Sequence, residues 1–284
     1  MSVLPPGHQG VHEALEISSN SVHTACQVCL QCTAKRESHV RTKLVSSSTA
    51  FASRFEGSPL IMRKRRAMDS SDETTKAWFD PSKVKVEADD QLRGVFDDEA
   101  LVGLSAAPSG STLSASLNGD SVQLKVDCPG VLTMERNLVQ KTTSGWYVFN
   151  TNVRVHPLYS GKNFAARTTV IQARAAQRLG FESIDLYAAG DYSMASIKFP
   201  EDRWVGYWVW PRLGFDADIP SHVQIRLPPD LSSCTKISEL MATVNGQEAW
   251  KIHGDGVDVS FDLTAGSVSW NLLERYTADR NIKV

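Results

Sequence analysis

The chain has 284 residues, of which 42% are hydrophobic and 22% are charged, so it can bury a core of ordinary globular size. The net charge of −2 does not favour nucleic acid or an anionic membrane as a partner, and no stretch approaches the ~20 consecutive apolar residues of a membrane span. The first residues lack a secretory signal, and five cysteines do not indicate a disulfide framework in such a chain. We therefore expect a cytoplasmic protein.

Residues 1–75 form a Ser/Thr-rich and basic segment without a sustained apolar period, which predicts a disordered tail. Cys26, Cys29 and Cys32 make a C-x-x-C-x-x-C motif, but no second pair follows, so no metal site is predicted. The basic run 63–66 fits either a solvated charge run or a nuclear-import or phosphate-binding patch, and the import reading would allow a nuclear location.

The folded part begins with a predicted helix that opens at the acidic residues from Asp97 and ends before Pro108. A hairpin follows, with strands over 113–117 and 122–128. Its turn is predicted at Asn118-Gly119, a dipeptide that type I′ turns favour because both central residues need a positive φ.

A weaker strand over 132–138 precedes the clearest one, Trp146–Val155. Simple alternation predicts two faces for this strand. One face carries Tyr147, Phe149, Thr151, Val153 and Val155, and the other carries Asn150, Asn152 and Arg154.

A helix is predicted from Asn163 to Leu179, with Gly180 in the C′ position, and a strand with alternating apolar residues follows over 184–188. Strands followed by a strand–helix–strand unit indicate a mixed α/β (α+β) architecture, with a mostly antiparallel sheet flanked by helices. We assign 76–227 to one domain and 228–284 to a C-terminal extension packed on it.

The junction between the long strand and this helix is the most informative point. The loop after Pro157 contains Gly161 and Lys162, and the helix begins near Asn163. Free backbone N–H groups at a helix N-terminus attract anions, and a glycine allows a phosphate to approach the main chain. An ordinary solvated loop is the competing interpretation, and the loop taken alone favours it.

Four segments together resemble the GNAT (Gcn5-related N-acetyltransferase) superfamily. They are the strand end Val153-x-Val155-x-Pro157, the loop Ser160-Gly161-Lys162-Asn163-Phe164-Ala165, the helix end Leu179-Gly180-Phe181 with Ile184-Asp185-Leu186, and the later Tyr207 to Phe215. The loop is similar to the family's Q/R-x-x-G-x-G/A motif. Asn163 replaces its central glycine, and Ser160 replaces its Gln or Arg.

The resemblance implies a divergent GNAT-like acyl-CoA-binding domain and transfer of an acetyl or other acyl group to an unknown amine acceptor. The implied acyl-CoA contacts are Val153, Val155, Ser160, Gly161, Lys162, Asn163, Phe164 and Ala165.

The same resemblance guides the choice of catalytic residues. Trp210 stands where many family members have a tyrosine that protonates the leaving thiolate, so Tyr207, one turn earlier, becomes the candidate acid. Glu135 is the first candidate base and His156 the second, although each is also readily explained as structural. The alternative is a GNAT-like module that has lost catalysis and serves as a binding or effector domain.

Overall fold

The computed structural model describes residues 71–140, 145–155, 162–193 and 204–284. Most of the predicted tail, with its cysteine motif and basic run, lies outside these ranges. The first helix, Glu73–Trp78, begins before residue 76, so the predicted domain boundary falls inside it. Asp72 caps this helix, because its side chain accepts a 2.7 Å hydrogen bond from the Thr75 N–H.

From residue 73 to residue 155 the helices and strands are α1 (Glu73–Trp78), β1 (Lys85–Ala88), α2 (Asp90–Arg93), α3 (Asp98–Ser105), β2 (Thr112–Asn118), β3 (Ser121–Cys128), β4 (Leu132–Gln140) and β5 (Trp146–Val155). The rest are α4 (Phe164–Arg178), β6 (Ser183–Ala188), α5 (Gly206–Arg212), α6 (Ser221–Gln224), α7 (Ile237–Met241), α8 (Val244–His253), β7 (Val257–Asp262) and α9 (Val268–Asp279).

The seven strands form one sheet in the order β1-β2-β3-β4-β5-β6-β7. The β1–β2 and β5–β6 pairs are parallel, and the other four neighbouring pairs are antiparallel. The predicted mixed, mostly antiparallel sheet flanked by helices is thereby confirmed. No helix in the described ranges is both long and apolar enough to cross a membrane.

The hairpin lies where the sequence predicts it, but its turn differs. Asn118 pairs with Ser121, which leaves Gly119 and Asp120 as the two-residue loop. Gly119 has a φ of +62°, whereas the φ of Asp120 is not positive. A positive φ at the first central position alone fits a type II′ turn, where glycine is preferred for this reason.

The predicted faces of β5 are wrong because a β-bulge interrupts the strand. Arg136 of β4 pairs with Asn150, but its neighbour Glu135 pairs with Asn152, so Thr151 is an extra residue. One extra residue exchanges the two faces of the rest of the strand. Asn150 therefore faces the core, where it is 6% exposed.

The C-terminal segment completes the sheet. β7 pairs antiparallel with the whole of β6, from Ser183↔Asp262 to Ala188↔Val257. Strand β7 and helix α9 both belong to the predicted extension 228–284. This segment therefore shares a sheet and a hydrophobic core with the central region.

Candidate functional site

The parallel strands β5 and β6 are paired over only part of their length. The pairing covers Tyr147–Asn150 and Ser183–Leu186, and it ends where the bulge begins. β5 continues to Val155 and β6 to Ala188. We call the space between these two strand ends the wedge, and Asn150 its apex.

The wedge leaves a strand edge inside the sheet. The opposite edge of 151–155 pairs with β4, where Leu132 pairs with Val155 and Met134 with Val153. Within the described ranges, no backbone partner is recorded for the edge of 151–155 that faces β6. Such an edge presents N–H and C=O groups that an extended ligand can pair with, as in β-strand addition.

Helix α4 begins just beyond the end of β5, after the 156–161 segment. Its N-cap residue Asn163 has φ +59° and ψ +25°, the left-handed conformation, and its side chain makes no capping hydrogen bond. Asparagine is among the few non-glycine residues that tolerate this conformation. The replacement of the motif's glycine by Asn163 therefore keeps a backbone geometry that glycine normally supplies.

The six residues of the loop and the start of α4 that are expected to contact acyl-CoA divide into three groups. Lys162 is exposed, and Asn163 and Ala165 are half-buried at the start of α4. Phe164 is buried, and its ring packs against those of Trp78 and Phe79 with centroids 5.7 and 5.3 Å away, so its side chain belongs to the core. Ser160 and Gly161 lie outside the described residues, as does the second candidate base, His156.

Val153 and Val155 are half-buried and pack against the hydrophobic core. Both pair with inward-facing residues of β4, so their side chains lie on the helix-covered face of the sheet. Their backbone groups, rather than their side chains, line the wedge.

Glu135 lies beside the bulge, because it pairs with Asn152. Its neighbour Arg136 is buried on the inner face, so Glu135 points to the outer face, where it is half-buried. The side-chain amide of Gln123 donates a short hydrogen bond to its carboxylate. A carboxylate is thus placed next to the wedge, on the side away from α4.

Tyr207 is 4% exposed on α5. Its hydroxyl donates a 3.0 Å hydrogen bond to the Lys251 carbonyl of α8, and its own carbonyl accepts one of 2.8 Å from the Trp250 indole. Burial, and then the nearby Asp191, raise the pKa of the phenol. These contacts direct the ring towards α8. Trp210 is half-buried and packs edge-on against Phe215.

The sequence analysis missed a row of buried polar side chains beneath the apex of the wedge. Arg136 donates to the Asn150 side-chain carbonyl at 2.7 Å, and Asn150 donates to the Gln172 carbonyl at 3.0 Å. Gln172, on α4, donates in turn to the Leu104 backbone carbonyl at 2.9 Å. The signal that could have found it is an arginine at an inward position of β4, between Met134 and Leu138.

A second buried arginine, Arg167, stands one turn into α4. It donates to both Asp72 carboxylate oxygens, at 2.7 and 2.8 Å, and to the Thr75 hydroxyl. Asp72 also accepts from the Lys283 N–H. We call this set of contacts the clasp.

Asp72 is held as a carboxylate by the clasp. Burial works to raise its pKa, but hydrogen bonds from the Lys283 N–H, Arg167 and the Thr75 N–H outweigh burial, so the pKa lies well below its usual range.

Comparisons with known proteins identify no family for this chain. No protein-family model matches the sequence, and no curated protein or solved structure matches it significantly. Within the described ranges, no group of three or more His, Cys, Asp or Glu side chains is arranged to hold a metal ion. The case for a function therefore rests on the wedge, the start of α4 and the side chains around them.

Proposed function

We propose that this domain binds an acyl-CoA and transfers its acyl group to an amine, as a divergent GNAT-like acyltransferase. The observation that carries the proposal is the wedge: β5 and β6 separate at a bulge, and helix α4 begins just beyond the free end of β5. An extended, amide-containing chain with a pyrophosphate at one end is complementary to a free strand edge that leads to a helix N-terminus.

In this proposal the pyrophosphate accepts hydrogen bonds from backbone amides between Gly161 and Ala165. Lys162, exposed at the same place, supplies positive charge. The pantetheine arm then runs along the edge of 151–155 that faces β6, and the thioester reaches the bulge at Thr151.

The transfer needs one base and one acid. The amine nitrogen attacks the thioester carbonyl carbon, the carbon–sulfur bond breaks, and the amine gives up a proton while the thiolate takes one. Glu135 is our candidate base, because it lies beside the bulge on the outer face, from which an acceptor amine can approach. Tyr207 is the candidate acid.

A titration tests donor binding. We expect acetyl-CoA to bind the wild type and to bind Gly161→Glu at least about tenfold more weakly, because a carboxylate repels the phosphates and a side chain blocks the main chain. Ser116→Glu adds the same charge at an exposed site on β2 and should bind normally. Unchanged affinity in folded Gly161→Glu would place the donor elsewhere.

A second candidate function is a GNAT-like binding module without catalysis. It is favoured by Trp210 at the usual tyrosine position and by the Tyr207 hydroxyl, which is engaged by Lys251. Turnover on a panel of amines separates the two functions. If Tyr207 is the acid, Tyr207→Phe lowers turnover by at least about tenfold with unchanged CoA affinity. Absence of turnover in a wild type that binds acetyl-CoA would favour the binding module.

A further inference from the structure

The guanidinium of Arg136 lies at the apex of the wedge, and among the described residues it has no acidic partner. The residue is 2% exposed, and its recorded hydrogen bonds go to the Asn150 side-chain carbonyl and, at 3.1 Å, to the Met134 sulfur. Its Nε–H is buried with no acceptor. Within the described ranges no carboxylate forms an ion pair with it, and burial is the cause that lowers its pKa to about 9.

A buried charge in this state is costly for the fold. Removing a guanidinium from water without a counter-ion costs several kcal/mol in typical proteins, and a thioether is a weak acceptor. At neutral pH the group is still a cation, since neutral pH lies below its lowered pKa. The segments that adjoin β5 in sequence, 141–144 and 156–161, contain no Asp or Glu.

Arg136 lies where the acyl end of the proposed ligand would be. Arg136 pairs with Asn150, the last residue of β5 that pairs with β6. A donor whose pyrophosphate lies at the start of α4 and whose arm follows 151–155 brings its acyl end to this apex. The inner face there is covered by α4, through Gln172, whereas Glu135 lies on the outer face. The acyl tail and the acceptor amine would thus lie on opposite faces of the sheet.

We propose that the preferred donor is an acyl-CoA whose short acyl chain ends in a carboxylate, and that Arg136 binds this carboxylate. This inference rests on the proposed acyl-CoA site and names its substrate class. The guanidinium offers donors in a fixed fork that matches a carboxylate, and the unpartnered Nε–H supplies one of them. The Asn150 side chain keeps a second donor, the Gln172 amide at 3.1 Å, when Arg136 turns to the ligand.

Calorimetric titration of the wild type with CoA, acetyl-CoA, malonyl-CoA, succinyl-CoA and glutaryl-CoA tests the inference without any variant. We expect at least one dicarboxylic acyl-CoA to bind about tenfold to a hundredfold more tightly than acetyl-CoA, the usual value of a hydrogen bond to a charged group. Equal affinities for acetyl and dicarboxylic donors would overturn this inference and leave the proposed function intact. No binding of any CoA compound would overturn the proposed function itself.

Variants then assign the preference to Arg136. Arg136→Met should abolish it while CoA and acetyl-CoA bind as in the wild type, and Arg136→Lys should keep part of it. Arg178→Met removes an exposed arginine from the last turn of α4, at the end away from the proposed pyrophosphate site, and should change nothing. If Arg136→Met does not fold, the Arg136→Lys titration still decides. A preference that is undiminished in Arg136→Met or in Arg136→Lys, or that free succinate with CoA reproduces, would contradict the assignment to the acyl group.

Discussion

Arg136 and Arg167 are two buried arginines with opposite surroundings. They are 2% and 6% exposed, and each has a buried Nε–H without an acceptor. Arg167 is neutralised by Asp72, which lies 95 positions away in the sequence. Arg136 has an amide carbonyl and a sulfur atom instead.

The surroundings of the two arginines distinguish a charge that stabilises the fold from one that is available to a ligand. In the clasp, a salt bridge joins Asp72, just before α1, to Arg167 in the first turn of α4. A hydrogen bond from the Lys283 backbone N–H joins the same carboxylate to the C-terminal residues. At the apex of the wedge, the described residues supply neutral hydrogen bonds but no counter-ion. The same side chain therefore stabilises one region and, in our account, recognises a substrate in the other.

The largest expected effect is the loss of the clasp. Asp72→Asn leaves Arg167 buried without a negative partner, which should lower the free energy of unfolding by about 3–5 kcal/mol. Asp98→Asn, in an exposed pair with Arg93 at 3.3 Å, is the matched control and should have little effect. Urea unfolding measures both variants, and equal midpoints for the two would break the comparison.

Arg136→Met should behave in the opposite way. Methionine replaces an uncompensated charge with an apolar chain of similar length, so the free energy of unfolding should stay the same or rise by up to about 4 kcal/mol. The measurement is again urea unfolding of the ligand-free protein. A loss as large as that of Asp72→Asn would show that Arg136 has a counter-ion within the chain.

Acid should remove the stabilisation that Asp72 contributes. The pKa of Asp72 is lower in the folded protein than its value of about 3.9 in an unfolded chain, so this contribution is complete above that value. As pH falls below about 4, the contribution decreases until the folded carboxyl is protonated. Wild-type stability should therefore fall more steeply below pH 4 than that of Asp72→Asn, and parallel curves would contradict this expectation.

The start of α4 should give a smaller effect. Asn163→Val puts a β-branched residue at φ +59° and should cost about 1–2 kcal/mol, whereas Asn163→Gly should be nearly neutral. If the amides of this turn bind pyrophosphate, Asn163→Val should also weaken acetyl-CoA binding and Asn163→Gly should retain it. Thermal unfolding with and without acetyl-CoA measures both effects. Equal behaviour of the two variants would argue against a role for the left-handed residue 163 in stability and in donor binding.

Local patterns in the sequence were sufficient to predict the central strands β2 to β6 and the helices α3 and α4. The acidic opening of α3, the alternation in β3 and the glycine after α4 are signals within a few residues of each other, and each predicted element is present. The type of the β2–β3 turn was missed, because the pairing of Asn118 with Ser121 moves the loop by one residue.

Long-range features were not predictable from these patterns. Nothing near Thr151 in the sequence indicates that β4 skips it, and that one bulge places Asn150 in the core and ends the β5–β6 pairing. The partner of Arg167 likewise comes from a segment that looked like part of the tail. Of the candidate site, the loop and Glu135 followed from sequence, whereas the role of Arg136 depends on which residues the sheet brings together.

The location of the acyl-CoA site is the central claim, and hydrogen–deuterium exchange tests it most directly. The amides of 151–155 and of the first turn of α4 should exchange more slowly with saturating acetyl-CoA than without it. The amides of 146–150 are paired within the sheet in both states and should change little. Binding that protects other segments and leaves 151–155 and 163–167 unchanged would contradict the account.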